Sequence, residues 1–100
     1  MDPAKPDINI SDVVTSTAGR DEGKLFYVID EDANYLTLAN GKDRTLDKPK
    51  RKKRRHVQKV LRSETRVAAK ILSGDKVLNS ELRRDLAFHA GQMQANNLGG

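Results

Sequence analysis

The chain has 100 residues, 36% apolar and 33% charged, enough for one small domain and too few to enclose a large active-site cavity. It contains no cysteine, which excludes a disulfide framework and a thiolate zinc site and is compatible with a reducing cytosol. Its formal net charge of +5 is concentrated in one place, and that placement organises the sequence.

Residues 1–47 carry five basic and ten acidic side chains. Residues 48–62 carry nine basic side chains and no acidic one, and 63–100 are close to balanced. The centre of the basic segment is Lys48-Pro49-Lys50-Arg51-Lys52-Lys53-Arg54-Arg55, in which seven of eight residues are cationic. A concentration of this kind is an electrostatic footprint for a polyanion, most often nucleic acid.

Residues 1–7 hold two prolines and two aspartates and read as a flexible arm. From Ile8 the texture becomes β-branched, and Val13–Thr17 reads as a first strand. Gly19 and Gly23 then mark a tight loop, 18–24. Leu25-Phe26-Tyr27-Val28-Ile29 is almost wholly apolar, so both of its faces should be covered, as in a central strand. Asp30–Asn34 is a polar turn, expected to be solvated. Tyr35–Ala39 alternates with period two and sets Leu36 and Leu38 on one face. Asn40-Gly41 predicts a type I′ hairpin turn, with Arg44-Thr45-Leu46 as a short return strand. His56–Leu61 supplies a fifth strand.

Ser63 is the expected N-cap of a helix whose apolar face is Val67, Ala68, Ile71 and Leu72, with Gly74 as its C-terminal cap. Asn79 or Ser80 opens a second helix aligned on Leu82, Leu86 and Ala90, and from Gly91 the tail to residue 100 has no apolar periodicity and is expected to be disordered. The pattern predicts a mainly β domain over 8–62, as a small antiparallel barrel with a basic loop at 48–55, followed by two short helices over 63–90. An open three- or four-stranded sheet is the alternative.

No catalytic constellation is present. His56 and His89 lie in different elements, without the spacing of a metal site, and the glycines of the first loop do not open a helix as a phosphate loop would. Asp30-Glu31-Asp32 lacks the distal glutamate of a calcium loop. The expectation is a protein without enzymatic activity, cofactor, metal or small-molecule substrate. The first residues lack a signal peptide's apolar run and no window reaches the length of a membrane span, so a soluble cytoplasmic protein is expected.

Arg51, Arg54 and Arg55 can fork onto phosphates or stack on exposed bases, while Lys48, Lys50, Lys52, Lys53 and Lys59 act as point charges. If about six cations engaged phosphates, log K would fall against log salt with a slope of roughly −4 to −5. A localisation signal and an anionic membrane tether are the other roles open to such a run.

At Asp12–Lys24 a hydrophobic strand leads into a loop with spaced glycines and basic residues, and a second strand follows. This stretch resembles a KOW motif. Ser16–Phe26, Asn40-Gly41-Lys42 and Lys48–Lys53 together resemble KOW-type RNA-binding proteins of the large-subunit ribosomal group that includes the L-fourteen-e, L-six-e and L-twenty-seven-e families. The resemblance implies an SH3-like barrel and RNA, ribosomal RNA first, as ligand. It assigns Gly19, Arg20, Gly23 and Lys24 to a loop approaching the RNA backbone and Lys48–Arg55 to a basic loop before the last strand, with Lys42, His56 and Lys59 beside them. Ser11 stands where such motifs often open with glycine. A transcription or translation adaptor, recruiting a protein partner through the barrel or the helices, is the competing expectation.

Overall fold

The computed structural model describes residues 7–99. Its centre is β2 (Leu25–Glu31), flanked by β1 (Asp12–Ser16) and β3 (Tyr35–Ala39). β4 (Lys50–Lys53) lies beyond β3, and β5 (Val57–Arg62) beyond β1. All four ladders are antiparallel, in the order β4-β3-β2-β1-β5. Among the described residues no ladder joins β4 to β5, so the sheet is open rather than a closed barrel. The ladder register shifts between Val13 and Val14 against β5, and between Val28 and Asp30 against β3. Such irregularities sharpen the twist of a sheet.

Period-two alternation distributes the core to both faces of β2, as the unbroken apolar run requires. Phe26 and Val28 join Ile8, Val14, Leu36, Leu38 and Val57 in a buried apolar cluster on one face. Tyr27 projects to the other face, with Val13 and Ala39, and meets Val67, Ala68, Leu82 and Leu86 from the helices. The helical segment is therefore the lid of the second face.

The basic run is not a loop. Lys50–Lys53 is an edge strand and Arg54–His56 a 3-10 turn leading into β5. The expected return strand at 44–46 is replaced by a tight turn, in which the Lys48 amide donates to the Thr45 carbonyl at 3.0 Å. The Leu46 amide turns away from β3 and donates to Asn79 Oδ1 at 2.8 Å. Asn40-Gly41 does not form a type I′ turn, since Gly41 alone of the two has positive φ (77°). Close packing sets its geometry instead: a Cβ on Gly41 would collide with the Asn79 carbonyl, and Arg83 donates to the Gly41 carbonyl at 2.6 Å.

Helix α1 spans Arg66–Ser73. Its N-cap is Thr65, whose side chain accepts from the Ala68 amide, rather than the expected Ser63. Gly74 ends it in the left-handed region at φ 78°, as its position predicts. Helix α2 spans Asn79–Gly99, so it continues through most of the tail expected to be disordered. Gln, Met and Ala favour helix without any apolar stripe, and periodicity alone misses such an extension. Of the expected arm, residues 1–6 lie outside the described residues. Ser11 is nearly sealed and left-handed (φ 75°), the conformation that favours the glycine expected of the motif.

Candidate nucleic-acid interface

Placing the basic run on an edge strand sorts its side chains by parity. Lys50 lies opposite Leu38 and Lys52 opposite Leu36, so both stems lie on the face of the first apolar cluster. Arg51 and Lys53 lie opposite Thr37 and Tyr35, on the other face.

Several of these cations are held by the protein itself. Arg51 packs its guanidinium 3.8 Å from the centroid of the Tyr35 ring and donates to Asp32 Oδ2 at 2.9 Å. Arg54 donates to Glu31 (3.0 Å), the Asp32 carbonyl (3.0 Å) and the Ile8 carbonyl (3.1 Å). Lys52 donates to the Ala18 carbonyl at 2.8 Å. Lys59 pairs with the sealed Asp12 carboxylate at 3.2 Å and reaches the Asp7 carbonyl at 3.3 Å. The acidic turn is thus a clamp on the basic strand. Asp32 also accepts from the amides of Asn34 and Tyr35, and Arg51 with these amides holds its carboxyl below the usual range.

The glycine loop is braced from below. Gly19 and Gly23 have φ of 78° and 84°, which supplies the tight turn. Asp21, almost fully buried, accepts both a 2.9 Å and a 3.3 Å bond from Arg44, whose hydrogen bonds hold its carboxyl low. Lys24 pairs with Asp43, pulling that carboxyl down to about 2 with help from Asn40. The Thr17 amide donates to the His56 carbonyl at 2.9 Å, and Lys52 Nζ is the nearest group to the open side of Gly19. The glycine loop and the basic strand, far apart in sequence, therefore form one surface.

Arg20, Lys42, Lys48, Lys50, Lys53 and Arg55 make no ion pair with another described residue. They lie on the glycine loop, the 40–48 connection, the edge strand and the 3-10 turn after it. Cations set free on a rigid edge can engage successive phosphates without first breaking internal pairs.

No protein-family model matches the chain, and no curated protein does either.

A buried polar cluster on the second face escaped the sequence analysis. Tyr27 donates its hydroxyl to Asp85, and the same oxygen lies 2.8 Å from Ser63 Oγ and 3.2 Å from His89 Nε2. Thr65 donates to Asp85 at 2.9 Å. Burial, with Asp85 beside it, pushes the Tyr27 hydroxyl up to about 12. Ser63 and Asp85 both approach the same imidazole nitrogen, at 3.1 and 3.4 Å, so the histidine does not bridge them as in a nucleophile relay. Ser63 is also 5% exposed, closed to a substrate. The cluster braces β2, the 63–65 linker and α2. Asp85 and His89 at i, i+4 were its sequence signal. Among the described residues no group of three potential ligands could hold a metal, and no helix is long and apolar enough to cross a membrane.

Proposed function

We propose that the protein is a non-catalytic RNA-binding module of KOW type, with an SH3-like barrel arrangement, acting on ribosomal RNA as a ribosomal or ribosome-associated protein of the cytoplasm. The observation that carries the reading is the joining of the glycine loop to the basic edge strand through Lys52 and the Ala18 carbonyl, with exposed cations without ion pairs among the described residues on both segments. The antiparallel strand order, with a 3-10 turn between β4 and β5, supports an SH3-like arrangement that is left open between those two strands. Lys24 and Lys52 hold the loop in place, Arg20 stands exposed on it, and Lys48, Lys50, Lys53 and Arg55 supply charge along and beside the edge strand.

Co-sedimentation with large ribosomal subunits through rising salt, followed by crosslink sequencing, tests the assignment. The expected result is salt-sensitive association with crosslinks to ribosomal RNA from Arg20 and the 48–55 segment. Protein left in the supernatant at low salt, with no RNA crosslinked, contradicts it.

The adaptor reading draws on Leu72, Leu78 and Phe88, which are 65%, 51% and 54% exposed. The inward faces of both helices are already occupied by the sheet, so a protein partner would have to use these outward side chains.

A further inference from the structure

Beside the basic strand lies a notch of about 420 Å³ bounded by Ala33, Asn34, Tyr35, Lys53, Arg54 and Arg55. Its one aromatic wall is unusual in a chain with four aromatic residues, of which Phe26 and Tyr27 are sealed in the core and Phe88 lies on α2. Arg51 stands over the Tyr35 ring and is not among the residues that border the notch. The walls are fixed. Asp32 holds the Tyr35 and Asn34 amides, and the Arg54 amide donates to the Asn34 carbonyl at 2.9 Å. Arg54 also spreads its guanidinium over Glu31, the Asp32 carbonyl and the Ile8 carbonyl. The Asn34 side-chain amide has no hydrogen-bond partner among the described residues, and Lys53 and Arg55 no ion pair among them.

We infer that this notch receives one unstacked nucleobase of single-stranded RNA, packed against Tyr35 opposite Arg51. Lys53 and Arg55 contact the flanking phosphates, and the Asn34 amide faces the base edge. A protein-fixed guanidinium on one side of an aromatic ring leaves the other side as a stacking platform, and every base has a π-face to offer it. The two adjacent cations place phosphate where a stacked nucleotide carries it. A polar peptide side chain would lack the flat face that the ring selects. The inference rests on the RNA-binding reading and adds a base contact to what would otherwise be backbone binding alone.

The test is titration of the full chain with a single-stranded oligouridylate, and with the same strand containing abasic sites. Tyr35→Leu should weaken oligouridylate binding roughly ten-fold without changing the salt slope, because stacking is not ionic, and Tyr35→Phe should restore what Tyr35→Leu loses. The abasic strand should bind wild type more weakly by a similar factor, a comparison that needs no variant to fold. Tyr27 and Tyr35 are the only tyrosines and tryptophan is absent, so RNA should quench tyrosine emission in the wild type and not in Tyr35→Leu. Equal affinity of wild type for the intact and abasic strands overturns the inference. If Lys53→Ala with Arg55→Ala also leaves affinity unchanged, the RNA-binding reading falls with it; if that pair weakens binding while the abasic strand binds normally, only the notch is refuted.

Discussion

Two sets of cations share the segment 48–59 and have opposite surroundings. Arg51, Lys52, Arg54 and Lys59 end on Asp32, the Ala18 carbonyl, Glu31 and Asp12, within the protein's own surface. Lys48, Lys50, Lys53 and Arg55 end on no described carboxylate. The first set gives the edge its shape and the second gives it charge toward a ligand. Counting basic residues therefore overstates the charge available for binding, because part of the +9 excess of residues 48–62 is answered by the acidic turn and Asp12.

The comparison predicts that removing bracing groups costs stability, while removing free cations costs binding. The largest stability effect should come from Asp21, the buried carboxylate of the glycine loop, which pairs with Arg44. Asp21→Asn should destabilise by about 2–3 kcal/mol, the lower range for breaking a buried pair because Arg44 is partly open to water. Arg44 holds the Asp21 carboxyl below its ordinary value of 3.8. A depressed folded value means the contribution is present above about pH 4 and is lost as pH falls through the folded value. Denaturant unfolding between pH 2 and 7 should show wild type losing this increment on acidification and Asp21→Asn lacking it throughout.

Arg54→Ala should have the next effect, about 1–2 kcal/mol, since two backbone carbonyls and Glu31 lose a donor while water can reach part of the site. Thermal unfolding checks it, and a variant as stable as wild type would place Arg54 in the free set instead.

Much of this arrangement was legible in the sequence, in proportion to how local its causes are. The central β2 followed from an unbroken apolar run, the Leu36/Leu38 face from alternation, and the Gly74 cap from a glycine at the end of an apolar helical face. The basic run was legible as charge but not as a strand. Its β4 pairing is fixed by β3 and by the tie from Leu46 to Asn79, a contact across 33 residues. Gly41 likewise looked like a hairpin glycine because its real constraint, the start of α2, lies almost forty residues away. The acidic turn is solvent-exposed, as expected, and what was not legible is that Arg51 and Arg54 return to it, since nothing local shows this. Of the candidate site residues, the glycine loop and the basic strand do meet, while Lys24, Lys52, Arg54 and Lys59 are bracing groups as much as contact groups.

The free set should have the smallest effect on stability and the most direct effect on binding. Lys48, Lys53 and Arg55 are exposed, so replacing all three by alanine should change unfolding free energy by no more than about 0.5 kcal/mol per site. The deciding measurement is the dependence of RNA affinity on salt for wild type and this triple variant. The account predicts a wild-type slope of roughly −4 to −5 that shrinks by about 2 in the variant, as contacts to three phosphates are lost. An unchanged slope and affinity in a variant that remains folded would contradict it.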